Sequence, residues 1–151
     1  MDRMSSSVEQ KYFEDFSIGE TVTLTRKFTR SDVNVHGDLL GDYNPIHYDE
    51  SFAKEMGFKG CLVPGIMTEG LAARLAGMKL PGAGAIFSDD TFSFKKPVYI
   101  GDEVTVRATI KELYRGGRLG RVVLDIVAFV KEETVMTGKI TCCVQYRKAA
   151  A

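Results

Sequence analysis

The sequence predicts an α+β domain in which an antiparallel sheet wraps around one central helix. The first observation is a nearly apolar helical stretch over residues 66–78, which carries only two charges. The second is a change of apolar spacing after Gly82, from the helical period to the period of two that is typical of strands. A helix with so few polar positions must be covered by another layer, and the strands that follow it supply one. The 151 residues and the apolar content of 44% suit one domain with a real core.

The first half of the chain predicts short elements. Residues 1–10 are expected to be frayed, and residues 11–148 to form the single domain. Apolar and polar residues alternate over 20–30, which favours a half-buried strand. A short helix is expected after Ser31 as its N-cap, with Gly41 closing it. A second short helix is expected to begin at Asp49 or Glu50 and to end at Gly57.

The second half predicts the central helix and an antiparallel meander. Pro64 suits the first turn of the helix, and Pro81 ends it. Four strands are expected to follow, with a turn at 115–118 and Gly138 as a bulge in the last strand. Long edge strands with few charges invite pairing with a second copy, so we expect a homodimer or a higher oligomer.

Composition argues against several classes of partner and cofactor. The 20 basic residues balance the 20 acidic ones, so no overall field gathers nucleic acid or an anionic membrane. The first residues are too polar for a secretory signal, and we expect a cytoplasmic protein with its three cysteines reduced. Two histidines far from the cysteines give no metal-ligand spacing. No glycine fingerprint indicates a nicotinamide or flavin site, so no cofactor is expected.

The stretch GDYNPIHYD over 41–49 is the strongest candidate for chemistry. Proline makes the Asn44-Pro45 turn stiff, and such a turn can direct Asp42 and His47 toward one point. A carboxylate and an imidazole around one site can hold a water molecule and exchange protons with it. The alternative from spacing alone is structural, with Asp42 capping a turn and His47 bonded to a backbone carbonyl.

The start of the central helix is a second candidate feature. Val63-Pro64-Gly65-Ile66 presents backbone N–H groups that have no acceptor within a helix. A helix N-terminus directed into a pocket stabilises negative charge that develops on a carbonyl oxygen. Together with a proton-transferring pair, this helix start predicts a site that stabilises an enolate.

Four motifs resemble the MaoC-like dehydratases, of the (R)-specific enoyl-CoA hydratase type. They are FEDFSIGE at 13–20, GDYNPIHYD at 41–49, VPGIMTEG at 63–70 and FSFKKPVYIGDEVTV at 92–106. The resemblance implies the hot-dog fold, a dimer and a role in fatty acid metabolism. It also implies that Asp42 and His47 are catalytic and that Gly65 donates its N–H to a thioester oxygen. Pro64 stands where the family commonly has histidine, and Ala73 where it often has serine.

The implied reaction is the reversible hydration of a trans-2-enoyl-CoA to an (R)-3-hydroxyacyl-CoA, and the expected partner is an acyl-CoA or an acyl-carrier thioester. We expect Asp42 to act as the base and His47 as the proton donor. The candidate substrate-binding residues are Gly65, Ile66 and Asn44, the last chiefly through shaping the turn. Three alternatives remain open: a 3-aminoacyl-CoA ammonia-lyase, an acyl-CoA thioesterase and a non-catalytic acyl-thioester binding protein.

Secondary contacts with the substrate have two interpretations each. Met67, Leu71 and Leu75 are candidates for an acyl slot, although such residues more often belong to the core. Lys59, Lys95 and Lys96 are candidates for the CoA phosphates, although surface lysines are usually only solvated. His36 is expected to face solvent or to cap its helix.

Overall fold

A computed structural model describes residues 9–149. A single turn of 3-10 helix, Phe13–Asp15, precedes the first strand. Four helices and five strands follow, and most of the short helices come before the long strands, as the sequence predicts. In chain order the elements are β1 Thr21–Lys27, α1 Arg30–Leu40, α2 Pro45–Tyr48, α3 Glu50–Glu55, α4 Gly65–Met78, β2 Ile86–Phe94, β3 Glu103–Tyr114, β4 Gly120–Val130 and β5 Glu133–Val144.

The strands form one antiparallel sheet in the order β1-β3-β4-β5-β2. Strands β3, β4 and β5 are the predicted meander. The prediction that β2 begins this meander is wrong, because β2 pairs with β5 at the edge of the sheet. The chain after Phe94 therefore passes the ends of β5 and β4 before it enters β3, and this crossing passes the start of α4, where Val63 N–H donates to Val98 O at 2.8 Å.

The core lies between α4 and the sheet, which confirms the predicted layers. Leu71, Ala72, Leu75 and Ala76 are buried on one face of α4. They meet side chains that alternate along the strands and are almost wholly buried, among them Val104, Val106, Ile110, Leu124, Ile126, Met136 and Ile140. Removing each such side chain from water contributes about 1.5–3 kcal/mol, so this layer is the main source of stability. The opposite face of α4 is open, with Ile66 half exposed.

Three local predictions were wrong for identifiable reasons. Helix α1 is capped by Thr29 and not Ser31, because the Thr29 hydroxyl accepts from Asp32 N–H while the Asp32 carboxylate accepts from Thr29 N–H. The segment after Asn44 is a short helix, α2, and not a simple turn. Gly138 lies in regular register with Phe92, and the aromatic ring occupies the space that a Cβ would take.

The remaining sequence expectations concern the first residues and the cysteines. Residues 1–8 of the stretch expected to be frayed lie outside the described residues, while Gln10 forms an isolated parallel bridge with Ala83. Cys142 is buried and Cys143 half-buried on successive positions of β5, and both are unpaired thiols. Within residues 9–149 no helix combines the length and the apolar content that crossing a bilayer requires.

Candidate active site

The loop between α1 and α3 carries the candidate acid–base pair. Gly41 ends α1 with a φ of 74°, a left-handed conformation that glycine adopts without strain. Asn44 then caps α2, since its side-chain oxygen accepts from Ile46 N–H at 3.3 Å. Pro45 occupies the first position of α2, where its missing N–H costs nothing. His47 therefore sits on a helical turn that starts three residues after Asp42.

Asp42 and His47 face each other. The distance between His47 Nε2 and Asp42 Oδ2 is 3.9 Å, which is too long for a direct hydrogen bond but suits two groups that bind one small molecule. The other carboxyl oxygen of Asp42 accepts from Asn44 N–H at 3.3 Å. One oxygen of Asp42 thus forms a hydrogen bond within the loop, and the other faces His47.

A backbone carbonyl orients the imidazole of His47. His47 Nδ1 lies 2.9 Å from Leu62 O, and a carbonyl oxygen only accepts hydrogen bonds. The ring therefore carries a proton on Nδ1 in either protonation state, and Nε2, the nitrogen that faces Asp42, is the one that gains or loses a proton. His47 thus forms the bond to a backbone carbonyl that a purely structural role predicts. At the same time its other ring nitrogen faces Asp42, as a catalytic role requires.

Two charged side chains hold the segments on either side of this hydrogen bond. Arg30 Nη1 donates to His47 O at 2.6 Å, and its guanidinium lies over the ring of Tyr48. Glu50 Oε1 accepts from Cys61 N–H at 3.2 Å, and this bond lowers the pKa of the Glu50 carboxyl. Sequence analysis missed both residues, because no local spacing connects Arg30 or Glu50 to the backbone groups that they bind.

The start of α4 forms the opposite side of the site. Pro64 is the N-cap of α4, whereas the sequence placed it in the first turn of the helix. Gly65 is the first helical residue. The N–H groups of Gly65 and Ile66 have no acceptor within the helix. A Cβ at position 65 would lie 2.8 Å from the ring of Phe94, so glycine allows this close approach.

One cavity of about 730 Å³ connects these features. All five predicted site residues line it, namely Asp42, Asn44, His47, Gly65 and Ile66. Its wall also includes residues that were not predicted for the site, among them Thr68, Glu69, Phe94 and Met136. Of these, Glu69 could have been predicted from the sequence, because it is the single acidic residue of the apolar helix.

The secondary candidates divide between cavity and core. Lys95 and Lys96 line the cavity, whereas Lys59 does not, and Lys96 is paired with Glu133 at 2.9 Å. Leu71 and Leu75 belong to the core and Met67 packs against it, so none of the three forms an acyl slot.

His36 does not occupy the position that was expected of it. Both of its ring nitrogens are buried and have no hydrogen-bond partner among the described residues, so it neither faces solvent nor caps α1. It does not line the cavity that holds His47. The remaining histidine of the chain, His47, is therefore the one that belongs to the site. Within residues 9–149 no cluster of three or more metal-ligating side chains is present.

A sheet wrapped around one central helix is the hot-dog fold, and here a carboxylate and an imidazole line the same cavity as the N-terminus of that helix. The model of the MaoC like domain matches residues 14–131, and the chain belongs to this family.

Two named relatives come from bacteria. The chain is 38% identical over 128 residues to the 3-hydroxybutyryl-CoA dehydratase of Methylorubrum extorquens, covering 85% of this chain and 80% of that protein. It is 32% identical to the (R)-specific enoyl-CoA hydratase of Rhodospirillum rubrum, over 88% and 81% of the two chains. The solved (R)-hydratase of A. caviae, described as involved in PHA biosynthesis, superimposes with a TM-score of 0.82 at 29% identity, over 87% and 98% of the two chains. These matches confirm the predicted family and fold.

Proposed function

We propose that the protein catalyses the reversible hydration of trans-2-enoyl-CoA to (R)-3-hydroxyacyl-CoA. The observation that carries this proposal is that Asp42 and His47 face each other across 3.9 Å in the same cavity that the N-terminus of α4 enters. The named relatives, a dehydratase and a hydratase of acyl-CoA thioesters, support the same reaction class.

The substrate enters with its thioester oxygen at the start of α4. Addition to the β-carbon builds negative charge on that oxygen, and the N–H of Gly65 with the helix dipole stabilises this charge. The N–H of Ile66 is the neighbouring donor. Both donors are held in place before the reaction, so no reorganisation is needed when the charge forms.

Asp42 and His47 divide the proton transfers. The carboxylate of Asp42 removes a proton from water while the oxygen bonds to the β-carbon. The imidazolium of His47 then donates its Nε2 proton to the α-carbon, and the proton on Asp42 returns to His47 to restore the starting state. The bond from Nδ1–H to Leu62 O persists in both protonation states of His47, so the ring keeps its orientation throughout.

Hydration of crotonyl-CoA by Asp42→Asn and His47→Gln tests this function. We expect each variant to lose roughly a hundredfold or more in kcat, because general acid–base catalysis contributes about 10²–10⁴-fold. Asp125→Asn is the matched control, since this carboxylate lies on β4 outside the cavity and pairs with Lys111. Full activity of Asp42→Asn would eliminate the mechanism, and release of free thiol would indicate a thioesterase instead, because hydration leaves the thioester bond intact.

The proposed assembly is a homodimer. Strand β2 lies at the edge of the sheet, and its residues are exposed along almost its whole length. Ile86, Phe87 and Phe94 leave large apolar side chains there in contact with solvent, and Ile66 on α4 adds a fourth. An edge strand with such a surface favours pairing with the same strand of a second copy.

The proposed location is the cytoplasm, where a thioester substrate and unpaired thiols such as Cys61 are both maintained.

A further inference from the structure

Glu69 is a carboxylate in the cavity that the proposed reaction does not use. It lies four residues after Gly65 on α4, and residues at this spacing lie above one another on the same face of a helix. It is the single acidic side chain of this helix and it lines the cavity together with Asp42 and His47. It therefore sits about one helical turn beyond the predicted position of the thioester oxygen.

The surroundings of Glu69 give its charge little support. It is half-buried, and its carboxylate forms no hydrogen bond or salt bridge with another residue of the described chain. The wall of the same cavity contains apolar side chains, including Phe94, Val98 and Met136. Burial raises the pKa of the Glu69 carboxyl, and the carboxylate of Asp90 acts in the same direction. Such a group binds favourably to a hydrogen-bond donor and unfavourably to an alkyl chain that removes its water.

The proposed pose determines what Glu69 meets. The thioester oxygen is held at Gly65 and the β-carbon between Asp42 and His47, so the remaining carbons of the acyl group must extend into the rest of the same cavity. We propose that Glu69 makes the site selective for enoyl thioesters with a short tail or a tail that carries a hydroxyl group, and against long alkyl and anionic tails. This inference rests on the proposed hydratase function.

A panel of four substrates tests the selectivity. Crotonyl-CoA and trans-2-octenoyl-CoA compare short and long alkyl tails. Hexenoyl-CoA with and without a 6-hydroxyl group tests the hydrogen bond. In the wild-type enzyme we expect kcat/KM to favour crotonyl-CoA over octenoyl-CoA and the hydroxylated hexenoyl thioester over the plain one. Glu69→Leu is expected to raise the octenoyl-to-crotonyl ratio of kcat/KM at least about tenfold and to remove the preference for the hydroxyl group, because one polar contact in a binding site produces selectivity of this order or more.

Two further variants separate charge from polarity and from folding effects. Glu69→Gln keeps the hydrogen-bonding capacity, so it should retain the preference for the hydroxylated substrate while it accepts an anionic tail better than the wild type. Glu55→Leu is the matched control, since Glu55 is an exposed carboxylate on α3 outside the cavity, and its ratios should equal those of the wild type. Circular dichroism and thermal unfolding identify any variant that fails to fold.

A binding measurement keeps this inference separate from the proposed function. Calorimetry with butyryl-CoA and octanoyl-CoA gives the ratio of dissociation constants without turnover. A protein that hydrates none of the substrates but loses its preference for butyryl-CoA in Glu69→Leu would refute the hydratase function and support the selectivity. Unchanged ratios in folded Glu69→Leu, both in binding and in turnover, would overturn the inference.

Discussion

At the scale of single residues, the hydrogen bonds around Asp42 and His47 leave one atom of each directed at the cavity. Asn44 N–H occupies one carboxyl oxygen of Asp42, and Leu62 O occupies Nδ1 of His47. The free atoms, Oδ2 and Nε2, are the two that lie 3.9 Å apart. Each group is thus held by a bond outside the proposed reaction, and neither would have to give up that bond in the proposed proton transfers.

A prediction at this scale concerns the close approach at Gly65. In Gly65→Ala the new Cβ lies 2.8 Å from the Phe94 ring, so the ring must move into the path by which a thioester reaches the Gly65 N–H. We expect kcat/KM for crotonyl-CoA to fall roughly a hundredfold, as a misplacement of about 1 Å in an active site can cause. Steady-state kinetics with the folded variant measures this loss.

Gly77→Ala is the matched control for that substitution. Gly77 lies on the same helix with open space at its Cβ position, and it does not line the cavity. Its replacement should leave kcat/KM unchanged and stabilise the helix by up to about 1 kcal/mol. Wild-type activity in Gly65→Ala would show that the substrate does not approach this N–H group.

At the scale of elements, the N-terminus of α1 depends on a reciprocal pair of caps. Asp32 accepts from Thr29 N–H at 2.8 Å, and this bond, together with the Thr29 hydroxyl and Arg26, lowers the pKa of the Asp32 carboxyl below its usual value of 3.8. Helix α1 carries Arg30, which holds the backbone of His47. The cap therefore supports the site through the helix that it starts.

The prediction for this cap includes the pH dependence of stability. Because folding lowers the pKa of Asp32, its contribution is fully present above about pH 4 and is lost as the pH falls through the folded-state pKa. Asp32→Ala should lower the free energy of unfolding by about 1 kcal/mol at pH 7 and by less at pH 3. Urea denaturation at both values measures the difference. Glu55→Ala, on the exposed surface of α3, should change little at either pH, and an equal loss from Asp32→Ala at both would contradict the assignment.

At the scale of the whole molecule, the sheet ends in an apolar edge. Phe87 on β2 is 40% exposed, although the neighbouring strand β5 contributes buried side chains to the core. Pairing of two β2 strands would remove this edge from solvent and give one continuous sheet across two protomers. The open face of α4, with Ile66 and Met78, lies on the helix-bearing side of the same sheet and is available to the same contact.

Light scattering on Phe87→Asp tests the dimer. A carboxylate at this edge should shift the mass from a dimer toward a monomer, because pairing would bury the charge without a partner. Leu39→Asp is the control, since Leu39 is 78% exposed on α1 and away from β2, and its mass should remain that of the wild type. A wild-type monomer, or an unchanged dimer in Phe87→Asp, would refute this assembly.

Part of the site was predictable because it lies in short stretches of sequence. Asp42, Asn44 and His47 fall within six residues, and the Asn44-Pro45 pair predicts a stiff local turn. The support from Arg30, the carbonyl of Leu62 and the ring of Phe94 was not predictable, since each comes from a segment that is distant in sequence. The prediction of where β2 lies in the sheet was wrong for the same reason. A strand shows the same alternation of side chains whether it pairs with β3 or with β5, so its sequence does not identify the partner.

The sequence by itself determined the elements and the layers, because apolar periodicity states which face of each helix or strand must be buried. It also brought the proposed acid–base pair together, because one loop contains both side chains. Only the tertiary structure decided which strand forms the edge, which carbonyl orients His47 and that Glu69 shares the cavity. Those relations depend on where segments that are distant in sequence meet. The pattern of apolar residues indicates which face of an element is buried, but not which other segment covers it.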